Sequence, residues 1–171
     1  MTGLYGKIAM QAAQHYAKTG EYMPISWQVP QELLRQKACY VSVIEQPGRY
    51  ILSSFGTALP RMRTLVEEIV HNTVEAVVQS NVRMRPIDAA AYVYSVAVLG
   101  PLERITRPEH LTPPIWGLYV RSEKNKSAII LPHRTGIESA DEQIATAIRE
   151  AGIDTKNESM TMYRFSVAFY E

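Results

Sequence analysis

An α+β fold, with a mostly antiparallel or mixed sheet and packed helices, is the class this sequence predicts, on three observations. Two pairs of strand-like runs are each joined by a short turn, over 38–54 and 115–132. Each pair is followed by an amphipathic helical pattern. The last run, MTMYRFSVAFY (160–170), alternates from one face to the other as a half-buried strand does. Hairpin-linked strands therefore outnumber any β–α–β alternation. Because a hairpin and then a helix occur twice, at 38–79 and 116–152, the sequence suggests two β–α structural repeats.

Taken in order, Tyr5, Ile8, Ala12 and Tyr16 share one helical face, and Gly20 is placed to stop that helix. The stretch EYMPISWQVP reads as a packed connector, and Glu32 to Arg35 as a short helical turn. Ala38–Glu45 and Arg49–Ser54 form a hairpin around Gln46-Pro47-Gly48. A long helix is predicted to open at Pro60, with Met62, Leu65, Val66, Ile69, Thr73, Val74, Val77 and Val78 as its apolar stripe. After NVRMRP, the run AAYVYSVAVLG is extended, and Thr106–Pro114, with three prolines, is a loop. IWGLYVRS and SAIILP are two strands around the charged tip EKNK. Ser139-Ala-Asp-Glu142 is a capping box, in which hydroxyl and carboxylate satisfy free helix N–H groups reciprocally. Ile144, Ala147 and Ile148 supply the buried face of that helix, and Gly152 its stop.

The chain has 171 residues, 46% apolar and 20% charged, enough for one domain with a substantial core, divisible into two lobes. A net charge of +1 obliges no face to be basic, so nucleic acid is not an expected partner. The single cysteine, Cys39, excludes an internal disulfide framework and any thiolate cluster. The N-terminal stretch is too polar for a signal peptide, and no apolar run reaches the roughly 18 residues of a membrane helix. A cytoplasmic, reduced setting without a membrane is expected.

No strong catalytic signature is present. His15, His71, His110 and His133 form neither an HExxH nor an i, i+4 pair, so no metal site is expected. His133 stands out because it follows a strand end, where loops carry function. Ser53 and Ser54 lie at a strand-to-helix junction, but not in a G-x-S-x-G setting, and a serine without a base is a weak nucleophile. Hydroxyls that close a strand end on nearby backbone are the simpler reading. Glu67 and Glu68 point about 100° apart on a helix and cannot form a dyad; a solvated helix edge is expected for both. Arg61, Arg63, Arg83 and Arg85 flank the long helix and suit a small anion or surface salt bridges. Cys39, inside an apolar strand with no cation beside it, is expected to be buried and inert. Neither a phosphate-cradling glycine loop nor any other cofactor motif occurs.

The ordered set ACYVSV, FGT (55–57), LVEEIVHN (65–72), SVAVLGPLERI (95–105), GLYVRS (117–122), IILP (129–132), DEQIATAIREAGI and YRFSVAFY resembles the AMMECR domain family, also known in prokaryotes as AmmeMemoRadiSam system protein A. The resemblance runs from about Leu4 to Tyr170 and implies one domain over 1–171 with an α+β fold of two β–α repeats. The family hallmark, Leu-Arg-Gly-Cys-Ile-Gly-Thr, falls here on Ile51, Leu52, Ser53, Ser54, Phe55, Gly56 and Thr57. Arginine is thus replaced by leucine, and glycine and cysteine by serine. The family's acidic-Pro-Arg-Phe segment falls on Asn81 to Met84, of which Arg83 is shared, and a family glutamate falls on Val93.

The polar hallmark has therefore been lost while the apolar frame is kept. Leucine cannot hold an anion, and serine lacks the thiolate's nucleophilicity and its affinity for soft metals. The resemblance implies a MEMO-type protein and a radical SAM enzyme as partners. It points to a non-catalytic component that binds a partner or small ligand around Ser53, Ser54, Phe55, Gly56, Thr57, Arg83 and His133. Two other readings stand beside it: an enzyme with a rearranged site at the same junction, and a structural homo-oligomer subunit.

Overall fold

A computed structural model describes residues 3–25, 28–80 and 88–171. The chain divides into two compact units, Met1–Val98 with Ala168–Glu171, and Leu99–Val167. It is an α+β protein, with three α-helices and two four-stranded sheets among the described residues and all the strand pairings described below antiparallel. The expected helices and hairpins are present.

In the first unit α1 (Leu4–Thr19) buries Tyr5, Ile8, Ala9, Ala12 and Ala13 along one face. Gly20 closes the helix at φ 74°, its N–H donating to the Tyr16 carbonyl. A short 3-10 turn at Gln31–Leu34 inserts Leu33, fully buried. The sheet runs in the order β2 (Tyr50–Gly56), β1 (Cys39–Glu45), β3 (Tyr92–Leu99) and the last strand Val167–Tyr170. Alternation places Cys39, Val41 and Val43 of β1 and Tyr94, Val96 and Val98 of β3 in one core with α1 and α2 (Leu65–Gln79). The final strand is tied to the start of α1, where Gly3 N–H donates to the Glu171 carbonyl and Tyr5 stacks on Tyr170 with ring centroids 4.1 Å apart.

Two expectations about α2 need correction. The helix opens at Leu65, so Pro60 and Met62 lie in its entry loop. Thr64 caps it reciprocally with Glu67, so the first turn's N–H donors are satisfied there and not earlier. Val78, assigned to the buried stripe, is 51% exposed. The stripe instead continues through Glu68, Asn72 and Ala76, all fully buried.

The second unit builds its sheet in the order β4 (Glu103–Ile105), β7 (Met160–Phe165), β5 (Gly117–Ser122) and β6 (Ser127–Ile130), which makes the Val167–Tyr170 strand β8. Strand β4 is only three residues long and follows Pro101, too short for periodicity to reveal. Helix α3 (Ala140–Ala151) carries the expected Ser139–Glu142 capping box and ends at Gly152, φ 65°. Its Ala147, Ile144 and Ile148 pack on Leu118, Val120, Ile130 and Ile105. The closing run expected as one strand is divided at Ser166: β7 belongs to one sheet and β8 to the other. Ser166 instead gives its carbonyl to Gly100 N–H at 2.8 Å, in a place where a Cβ on Gly100 would come within 2.3 Å of the Ser166 hydroxyl.

A half-buried ion pair closes this unit. The Glu158 side chain is fully buried and accepts from Lys126 Nζ at 2.7 Å and from Asp154 N–H at 2.8 Å, and Lys126 Nζ also donates to the Gly152 carbonyl at the end of α3. The Lys126 ammonium first, then the Asp154 N–H and the Ser122 hydroxyl, hold the Glu158 carboxyl down to about 2, below its ordinary 4.5. A depressed carboxylate stabilises the fold above its unfolded value, and that stabilisation is lost as pH falls toward the folded value. Stability to urea should therefore decline between pH 4.5 and about 2, and a Glu158→Gln variant, less stable at neutral pH, should show a flatter decline over the same range.

Candidate functional site

The junction from β2 into α2 is built by strand alternation. Ser53 and Phe55 lie opposite Val43 and Val41 and so face the core. Phe55 packs there, and the Ser53 hydroxyl donates to the Ala76 carbonyl of α2 at 2.5 Å. Ser54 lies on the other face, its hydroxyl 2.7 Å from that of Ser42 on β1. The two serines are thus divided by the sheet. Gly56 is required by close approach, since a Cβ would lie 2.4 Å from both the Cys39 carbonyl oxygen and the Tyr40 ring. Thr57 turns the chain, its hydroxyl donating to the Leu59 carbonyl at 2.6 Å. His133 belongs to the second unit, where it is exposed in a turn at φ 60° with its N–H on the Pro113 carbonyl. Arg83 lies outside the described residues, as does Arg85.

The polar group that holds the junction in place is Glu68. Contrary to the expected solvated edge, its carboxylate is fully buried, and one oxygen accepts the N–H groups of Arg61 and Met62 at 3.0 and 2.8 Å. Its other oxygen accepts from Asn72 Nδ2 at 3.4 Å, and the same amide donates to the Cys39 carbonyl at 2.9 Å. Entry loop, helix and β1 are thereby joined by one buried network. Glu67, its neighbour, is the capping carboxylate. The pattern did contain the signal: Leu65, Glu68, Ile69 and Asn72 follow i, i+3, i+4, i+7, which places both polar side chains inside the apolar stripe.

Cys39 is buried beside this network, and burial, only partly opposed by the Asn72 amide, pushes its thiol well above the ordinary range. It is therefore a protonated, structural thiol.

A cavity of about 230 Å³ opens beside the junction. Met23, Ile25, Met62 and Val70 form its apolar wall, with Tyr22, His71 and Glu67 completing it. The Tyr22 ring stacks on His71, centroids 5.4 Å apart and 14° from parallel, and Phe55 of β2 lies 6.3 Å from the same imidazole. Tyr22 is oriented by its hydroxyl, which donates to Glu75 at 2.8 Å, and that bond raises the phenol's pKa. His71 was visible in the sequence only as an unpaired histidine; its partner Tyr22 comes from the connector after α1. Among the described residues no three His, Cys, Asp or Glu side chains converge as a metal site, and no helix is long and apolar enough to cross a membrane.

Two hairpin-and-helix units with a capped junction define an α+β protein of duplicated plan. The chain belongs to the AMMECR1 family, whose profile matches residues 6–170. A Thermotoga maritima protein is 26% identical over 170 residues, covering 98% of this chain and 97% of its own length. The Clostridium acetobutylicum protein CA_C1420 is 29% identical over 166 residues, 95% of this chain but 35% of that longer protein. The crystal structure of the uncharacterized protein PH0010 from Pyrococcus horikoshii superposes with a TM-score of 0.84 at 22% identity, covering 96% of this chain and 88% of that one, and shares its fold.

Two outcomes follow from this geometry. Glu68→Ala orphans the Arg61 and Met62 N–H groups, and should lower unfolding stability by about 1–3 kcal/mol in urea titration. Cys39 should resist a thiol reagent such as dithionitrobenzoate in the folded protein and react at once in guanidinium; fast native labelling would contradict the buried, protonated state.

Proposed function

We propose that this AMMECR1-family chain is a non-catalytic binding component of a radical-SAM- and MEMO-linked system. In this reading it docks a protein partner by receiving an apolar side chain in the cavity beside His71. The observation that supports it is the bonding of the junction itself. Ser53 is committed to Ala76, Ser54 to Ser42 and Thr57 to Leu59, and the thiol of Cys39 is buried. The positions that resemble the family hallmark thus carry internal structure, while the adjoining wall offers apolar side chains and two stacked rings. Preformed apolar pockets with an aromatic rim are where interface anchors seat. The longer Clostridium relative, in which the matched region is 35% of the chain, is in keeping with a domain that works joined to others.

The test is co-elution of the purified chain with the MEMO-type and radical SAM proteins of its own genome, read by size-exclusion chromatography with light scattering. One of them should form a complex, and Tyr22→Ala, which removes one wall of the cavity, should weaken it roughly tenfold, the scale of an anchor contact. A complex indifferent to Tyr22→Ala would move the interface elsewhere. Turnover of a substrate by the chain alone, abolished by Ser54→Ala, would overturn the non-catalytic reading.

A further inference from the structure

We infer that the second unit carries a separate binding site, on the sheet face opposite α3, for a small anion bearing a planar ring, of the nucleoside monophosphate class. The register generates the site. Leu118 and Val120 of β5 point into the core with Ile130 and Ile105, so Tyr119 and Arg121 point the other way. Opposite them on β7 stand Tyr163 and Thr161, and opposite Tyr163 on β4 stands Arg104. The two tyrosine rings meet at 5.9 Å between centroids, inclined by 32°. They form a half-exposed aromatic floor with a guanidinium on either side. Strand spacing and rise separate the Arg104 and Arg121 backbones by about 12 Å, with the rings between.

Charge decides what this floor takes. Arg134 and Arg164 of the same unit are in ion pairs with Glu150 and Glu103. Arg104 and Arg121 are both exposed, and among the described residues neither pairs with a carboxylate; Arg121 donates instead to the neutral Asn125 side chain at 2.7 Å. Beside Arg121 the face deepens into a polar cleft of about 290 Å³, lined by Ser122, Asn125, Ser159, Thr161 and Tyr163, with Glu123 on the same wall. Glu123 is turned to the Ser159 N–H at 3.1 Å. A guanidinium fork with hydroxyls around it suits a phosphate, and the adjoining tyrosines suit a flat ring. Inorganic phosphate alone would leave the aromatic floor unused, and an uncharged ring would leave the guanidiniums unpaired.

This site rests on the second unit's own residues and is independent of the docking reading. Calorimetric titration of the full chain tests it with adenosine 5′-monophosphate, adenosine, inorganic phosphate and a short single-stranded RNA. The monophosphate should bind with a Kd of about 1 mM or tighter, and adenosine and phosphate each at least roughly tenfold more weakly. Arg121→Gln, with an unchanged melting temperature, should lower monophosphate affinity at least roughly tenfold, whereas Arg134→Gln, whose guanidinium is paired with Glu150, should leave it unchanged. Equal binding of adenosine and its monophosphate, or binding indifferent to Arg121→Gln, would overturn the inference. So would the absence of heat with every probe. RNA binding in strong preference to the monophosphate would assign the face to a polynucleotide and overturn the small-ligand site.

Discussion

The first unit depends on one buried carboxylate. Glu68 sits in the apolar stripe of α2, among the described residues without an ion-pair partner, and its oxygens are met by the Arg61 and Met62 N–H groups and the Asn72 amide. Burial of a charge is tolerated only where its lone pairs are filled, so the position of the entry loop and the position of the helix are fixed together. Through Asn72 the same network reaches the Cys39 carbonyl and fixes the helix against β1. The wall formed by Met62 and His71 is placed by this arrangement, because one follows the loop and the other the helix. The geometry of the cavity thus traces back to a residue that does not line it.

The elements legible in the sequence were those whose signal is local. The αL glycines at 20 and 152, the Ser139–Glu142 box and the two hairpins are decided by a few adjacent residues, and all are present. The misjudged parts are of two kinds: positions where one local signal outweighs a better one, and one strand that needs a tertiary neighbour. The charge of Glu68 suggests surface while its spacing puts it inside, and the structure follows the spacing. The start of α2 was placed at Pro60 because proline suits a first turn, yet Thr64 with Glu67 offered the better cap. Strand β4 exists only because β7 provides a neighbour, so three residues between proline-rich stretches carry no signal of their own.

The candidate site was less legible than the fold. Ser53 and Ser54 stand out at a strand-to-helix junction and Phe55 to Thr57 by a resemblance, and the structure shows the hydroxyls in internal bonds and Gly56 at a close approach. The groups that shape the adjoining cavity come from three distant stretches: the connector at Tyr22 to Ile25, the loop at Met62 and the helix at His71. No spacing rule connects them, since their meeting is set by how α1 and its connector return over α2. The face of the second sheet is different. Its alternating Tyr119, Arg121, Thr161 and Tyr163 could be read once strand register was known, because register alone decides which side chains share a face.

Ser166, where the closing run changes sheets, has a consequence for synthesis. The first unit is discontinuous: its sheet takes β8 from residues that follow the entire second unit. On a ribosome, the sheet of β2, β1 and β3 would keep one edge unfilled until Val167–Tyr170 emerge, and the bond from Gly3 to Glu171 could not form before then. Closure over so long a separation is entropically slow. The second unit, contiguous in sequence from Leu99 to Val167, has a wait of the same kind within itself, because β4 at Glu103–Ile105 pairs with β7 at Met160–Phe165. Both sheets are therefore completed by one closing run, the second unit by β7 and the first, a few residues later, by β8.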